Sequence, residues 1–313
     1  MSVLICNSVG GKGLRHAASL MTSGRPLLDA IEQGIRIVEA DPEIHSVGRG
    51  GWPNMLGQVE LDASMMEGQH LRCGAVGAVR GYLHPISIAR QVMERLPHVL
   101  LVGDGAECFA AECASEAGQN LTPEARERWL AWREANTSAN REMEWPSGPL
   151  ALLAQRAADP ESTHGTTVFL GRDNDGHMAV GVSTSGWAFK YPGRLGDSPI
   201  IGAGSYVDDR YGAAACIGQG ELTIRAGTAR AVVLYLKMGL GLRAACREAL
   251  RDLEPLRPDL SSFVFLHAMS RSGEHYAVAW GDIDEPKYWA WASGACDPEL
   301  RSAEHVIPSH PSR

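Results

Sequence analysis

The chain has 313 residues, 44% of them apolar and 35 of them glycine, which is enough material for one large core or two small ones. Its formal charge of −8, from 29 basic and 37 acidic side chains with no long run of Lys or Arg, excludes a phosphate-tracking surface and with it a nucleic-acid partner. No stretch approaches the roughly 20 apolar residues that cross a bilayer, and the first residues lack a secretory h-region, so a reducing cytoplasm is the expected location.

Residues 3–6 form a short apolar run before a glycine cluster, expected to be a buried strand entering a tight turn. Leu27, Ile31, Ile35 and Val38 share one helical face, and that helix should stop before Asp41-Pro42, because the residue before a proline is pushed out of helical geometry. A second helix is expected over residues 86–96. After Pro97, the apolar run 99–102 suits a central strand.

From about 115 to 163 the composition turns charged and Trp-rich. Thr122-Pro123-Glu124 offers an N-cap and a first-turn proline for one helix, with Ala125, Trp129 and Trp132 as its docking stripe. The remainder, through Asn136-Thr137-Ser138 and Pro146-Ser147-Gly148, reads as exposed connection that tolerates a chain break. Strand signals resume at 167–170, and a turn at Asp173-Asn174-Asp175-Gly176 leads into a hairpin partner at 178–184. Residues 229–238 read as a helix, and 262–268 with 275–280 as a strand pair around Ser272-Gly273. Strands alternating with helices in this way predict stacked sheets covered by helices.

The seven cysteines are scattered without a C-x-x-C pair, and most are expected to be small buried thiols. The eleven histidines show neither H-x-H nor H-x-x-x-H spacing. No metal and no cofactor is expected.

The chemistry concentrates at His164-Gly165-Thr166-Thr167-Val168, where the irregular region meets a strand. A threonine hydroxyl is a weak nucleophile that needs a base. A free α-amine, with an ordinary pKa of about 7.7 to 8.0, is partly neutral near pH 7 and can serve as that base. Thr166 would carry both groups once the Gly165-Thr166 bond is broken. Downstream, Gly193-Arg194-Leu195-Gly196-Asp197-Ser198-Pro199 sets a cation and an anion three residues apart. Arg194 suits a carboxylate and Asp197 an ammonium, as in gripping a zwitterionic amino acid; the alternative is an Arg194/Asp197 salt bridge in a surface turn. Gly218-Gln219-Gly220-Glu221 lets backbone N–H groups approach a ligand closely, or else is a strand-to-helix turn with glycine at positive φ.

These segments, together with Ser46-Val47-Gly48, Leu61-Asp62-Ala63, the run from Cys73 to Val79, His98-Val99-Leu100-Leu101-Val102-Gly103, Ser183-Thr184-Ser185-Gly186 and the run from Gly202 to Asp209, give the chain a close resemblance to the glycosylasparaginase and isoaspartyl-peptidase group of N-terminal-nucleophile hydrolases. The resemblance covers nearly the whole chain. It implies an α+β fold, a four-layer αββα sandwich in one domain spanning 1–313. Self-cleavage between Gly165 and Thr166 would give an α subunit of 1–165 and a β subunit of 166–313, and these would associate as a homodimer of αβ units. Thr166 would be the nucleophile and Thr184 its hydrogen-bonding support. Arg194 would hold the substrate α-carboxylate, Asp197 the α-ammonium, Ser46 a further substrate contact, and the Gly218 N–H part of the oxyanion hole.

The implied activity is hydrolysis of N4-(β-N-acetylglucosaminyl)-L-asparagine, with an isoaspartyl dipeptidase or L-asparaginase on the same site as the alternative. An inactive or poorly active relative that binds an amino acid is the reading from another class. Three departures bear on the choice. Gly165 stands where the glycosylasparaginase branch has aspartate, so slower cleavage is expected. Ile217 replaces a threonine whose hydroxyl completes the oxyanion hole, a loss of about 3 kcal/mol in transition-state stabilisation unless another donor takes its place. The family tryptophan after the first strand aligns near Val9, and Trp52 is the residue that would fill its space.

Overall fold

The computed structural model describes residues 1–136, 149–157, 165–256 and 262–307; the connection at 137–148 and His164 lie outside them. Its described strands form two sheets. The larger runs, in spatial order, through β12 (Glu299–Ser302), β11 (Lys287–Ala292), β1 (Val3–Asn7), β5 (Thr167–Arg172), β6 (Met178–Thr184), β2 (Leu61–Glu67), β3 (Cys73–Val79) and β4 (Leu100–Val102). The smaller runs through β13 (Glu304–Val306), β10 (His275–Gly281), β9 (Phe263–Ser270), β8 (Gly212–Gly218) and β7 (Ser205–Asp208).

The period-two alternation of strand side chains sorts the core into three layers. In β1 and β5, Leu4, Cys6 and Phe169 face helices α1 (Gly11–Thr22), α2 (Leu27–Ala40), α3 (Pro85–Arg95) and α4 (Gly103–Glu112). Val3, Ile5, Val168 and Leu170 face the second sheet, where they meet Ala213, Ala215 and Ile217 of β8 and Phe265 of β9. The opposite face of β8 and β9, with Ala214, Cys216, Val264 and Leu266, packs on α7 (Gly220–Ala226), α8 (Thr228–Lys237) and α9 (Leu242–Arg251). Helices, sheet, sheet and helices make the αββα sandwich.

Several elements differ from the sequence reading. The tight turn expected after β1 is a single 3-10 turn, but it leads directly into a helix that the reading did not include, α1, whose glycines sit where a side chain would strike its neighbours, Gly13 against the backbone of Gly34 among them. The 99–102 run is not a central strand. β4 pairs only with β3 at the sheet edge, and Val99 and Val102 are about half exposed (54% and 50%). A continuous apolar run fits either position, and hydropathy alone does not distinguish them. The charged, Trp-rich region holds two helices, the expected α5 (Pro123–Asn136) and α6 (Leu150–Ala157). Of the cysteines only Cys6, Cys216 and Cys246 are buried, while Cys108 and Cys296 are exposed.

Candidate active site

The β5/β6 hairpin turns at Gly176, whose φ of +96° suits glycine alone, and pairs Thr167 with Ser183. One step further in that register sets Thr166 opposite Thr184, both on the face turned to the second sheet. The Thr184 hydroxyl lies 3.0 Å from the Gly165 carbonyl oxygen and 3.3 Å from that of Ser46, so its single proton favours the Gly165 carbonyl; its oxygen accepts the Gly186 N–H at 3.0 Å. On the other side, Asn7 at the end of β1 donates its amide to the Thr166 carbonyl at 2.6 Å and accepts the Val168 N–H at 3.2 Å. Thr166 and the peptide bond before it are thus fixed from both neighbouring strands.

Thr166, Thr184, Arg194, Asp197, Gly165 and Gly218 line one pocket where the two sheets come together, along with Gly186, Trp187, Gly196, Ser198 and Gly220. Ser46 sits at its edge: a Cβ on Gly165 would collide with the Ser46 side chain. The loop carrying Ser46 is anchored by Glu39, whose carbonyl accepts the Arg49 N–H at 2.7 Å. The buried Glu39 carboxylate takes hydrogen bonds from Ser183 at 2.7 Å and the Ile86 N–H at 3.1 Å, and faces His84 Nδ1 at 3.1 Å. Burial raises its pKa.

Arg194 and Asp197 do not pair with each other. Arg194 forks onto Glu221 (Nε to Oε1 2.9 Å, one terminal nitrogen to Oε1 2.7 Å and Oε2 2.8 Å) and lies over the Trp187 ring, 4.3 Å from its centroid. Asp197 accepts the Thr223 hydroxyl at 2.7 Å. Burial pushes its carboxyl up to about 6, against the lowering by that hydroxyl and by Arg194. A buried carboxylate of this kind favours a cationic partner, since an ammonium would offset the desolvation that raises it. The Gly218 φ of +116° makes the strand-to-helix turn, and the missing side chain at Gly220 lets Asp197 approach: a Cβ there would lie 2.8 Å from the Asp197 nitrogen.

Comparison with known proteins gives this geometry a lineage. The asparaginase family model matches residues 11–298. The chain belongs to the asparaginase and isoaspartyl-peptidase family of N-terminal-nucleophile amidohydrolases. It is 38% identical to the N(4)-(β-N-acetylglucosaminyl)-L-asparaginase of Elizabethkingia miricola over 76% of this chain and 65% of that protein, just under two thirds of the relative's length. It is 35% identical to the plant-type L-asparaginase of Pyrococcus furiosus over 77% of each. Against the isoaspartyl peptidase/L-asparaginase of Rattus norvegicus it is 33% identical over 89% of this chain and 78% of that one.

Within this asparaginase family the departures now have structural settings. Ile217 points by strand alternation into the core between the sheets, beside Phe265 and Ala215, and offers no donor. Val9 packs against the helix-facing core. Trp52 is not among the pocket residues; it stacks on His45 with centroids 4.3 Å apart and joins Ala125, Ala188 and Phe189 in a separate cluster under α5. The tryptophan that does line the pocket is Trp187, which the sequence reading passed over.

Asn7 and Lys190 were missed as well. Lys190 is fully buried, its ammonium 3.2 Å from the Glu60 carbonyl and 3.9 Å from the Asp62 carboxylate, tying the Trp187–Arg194 loop to β2. A lone lysine after Trp187-Ala188-Phe189 was the available signal. Among the described residues, no helix is long and apolar enough to cross a membrane.

Proposed function

We propose that the chain cuts itself between Gly165 and Thr166 and then hydrolyses the side-chain amide of an asparagine derivative. The supporting observation is the single pocket that joins Thr166 to Thr184, Arg194 and Asp197. In the first reaction the Thr166 hydroxyl attacks the Gly165 carbonyl carbon, the C–N bond breaks, and an ester forms between Gly165 and Thr166 Oγ. Water then hydrolyses the ester, leaving a carboxylate on Gly165 and a free amine on Thr166. The Thr184 hydroxyl, already hydrogen-bonded to the Gly165 oxygen, stabilises the charge that develops there.

In the second reaction the freed amine accepts the Thr166 hydroxyl proton, and the oxygen attacks the substrate amide carbonyl. The leaving amine departs with that proton, an aspartyl ester remains on Thr166, and water releases aspartate. Arg194 turns from Glu221 to the α-carboxylate, and Asp197 receives the α-ammonium. Gly218 contributes its N–H to the oxyanion.

The substrate we assign is N4-(β-N-acetylglucosaminyl)-L-asparagine, on the strength of the 38% identity to a glycosylasparaginase. Aspartate release from this compound, from β-aspartyl dipeptides and from asparagine tests the assignment. Faster release from either of the latter two moves the protein to the isoaspartyl-peptidase or asparaginase activity, and release from none makes it a binding relative. A smaller fragment beginning Thr-Thr-Val-Phe verifies the cleavage point, whereas a permanently intact chain refutes it.

A further inference from the structure

Two residues that line the pocket, Trp187 and Ser198, each carry a buried polar side-chain atom, Nε1 and Oγ, that has no hydrogen-bond partner among the described residues. A buried donor without an acceptor is costly, and native proteins keep few of them. At Trp187 the arrangement is held firmly. Gly186 before it has φ +75°, and Phe189 after it has φ +55°, a conformation unfavourable for a bulky residue. That backbone is clamped: Phe189 stacks on Trp132 of α5 with centroids 4.6 Å apart, its N–H bonds the Pro53 carbonyl at 2.9 Å, and Lys190 is buried below. Strain maintained by surrounding contacts is characteristic of a preorganised site.

The face of the same indole carries the Arg194 guanidinium at 4.3 Å. A ring in that position orients the guanidinium plane, while its N–H, at the ring edge, makes no hydrogen bond among the described residues. An oxygen ligand drawn to Arg194 therefore arrives beside an unused donor.

We propose that Trp187 is a substrate-recognition residue of this pocket: its ring sets the orientation of Arg194, and its indole N–H donates to the α-carboxylate of the bound amino-acid amide. The proposal rests on the assignment of Arg194 as the carboxylate clamp. Arg194 exchanges Glu221 for the substrate carboxylate, one oxygen of which takes the Trp187 N–H. Relief of the unpaired donor thereby adds to affinity only when the ligand has a free carboxylate at that point. An amide or ester of the α-carboxyl group gains less, because its oxygens are weaker acceptors and carry no charge for Arg194.

Trp187→Phe keeps a ring under Arg194 and removes the donor; Trp187→Leu removes both. The expected result is a KM about tenfold higher for Trp187→Phe, with a smaller fall in kcat, and a larger rise for Trp187→Leu. In the processed wild-type protein, titration with L-aspartate should shift downfield the one indole 15N–1H resonance that is absent from Trp187→Phe. If L-aspartate binds the wild type but that resonance stays in place and Trp187→Phe has wild-type KM, the role given to Trp187 is overturned while the site assignment stands. If L-aspartate does not bind the wild type and Arg194→Ala leaves KM unchanged, the site assignment itself fails, and the Trp187 proposal with it.

Discussion

Replacing Thr184 by valine removes a hydroxyl at nearly constant shape and so isolates what that group does for the proposed self-cleavage. The hydroxyl oxygen is 3.0 Å from the Gly165 oxygen, to which it donates, and it accepts the buried Gly186 N–H at the same distance. Loss of the first contact removes one donor from the developing oxyanion, about 3 kcal/mol, which corresponds to a cleavage rate about two orders of magnitude lower. Loss of the second leaves a buried N–H unpaired and lowers folding stability by about 1–3 kcal/mol. The two effects separate experimentally. Fragment appearance after synthesis, followed on denaturing gels and by mass spectrometry, reports the first; thermal melting reports the second. Thr184→Ser, which keeps the hydroxyl, should cleave at close to the wild-type rate. Cleavage of Thr184→Val at the wild-type rate would refute the electrophilic role of Thr184, and equal slowing in the folded serine variant would refute the specific need for its hydroxyl.

Asp197 predicts two opposite pH effects. Its carboxyl rises from the ordinary 3.8 to about 6 on folding, so between those values the folded chain holds a proton that the unfolded chain has released. Stability of the ligand-free protein therefore falls as pH rises through that window, by about 3 kcal/mol in all, and denaturant titrations of Asp197→Asn should lack this slope. In the proposed binding mode substrate affinity runs the other way, because only an ionised Asp197 would receive the α-ammonium: wild-type KM should climb as pH drops below about 6, and an unchanged KM at pH 5 would contradict the ammonium role. Ile217→Thr restores a hydroxyl next to Gly218; turnover should increase, while loss of apolar contact between the sheets costs about 1–2 kcal/mol by melting. Unchanged kcat would show that the hydroxyl does not reach the oxyanion in this chain. Gly165→Ala should slow processing sharply, since its Cβ collides with Ser46, and Ser46→Gly in the same chain should recover it. Failure of the double variant to process faster than Gly165→Ala would place the difficulty elsewhere.

The sequence alone determined the features that short-range patterns set. Thr166 at a strand start, the Gly176 turn, the Arg194 and Asp197 spacing and the Gly218 turn are short-range patterns, and each corresponds to a structural feature in the fold. The hairpin register that sets Thr166 opposite Thr184 follows from the same few residues. Tertiary structure decided what depends on distant segments meeting. Asn7 reaches Thr166 across 159 positions because β1 is inserted beside β5, an outcome that no local spacing encodes. Arg194 is drawn to Glu221 instead of Asp197 because the β8-to-α7 turn brings the glutamate within reach while burying the aspartate against Thr223. The 99–102 run became an edge because neighbouring strands, not its own hydropathy, fix the order of a sheet. Trp187 gained its place in the pocket in the same way: a tryptophan beside a glycine could pack almost anywhere, until α5 and Lys190 fixed its loop under Arg194.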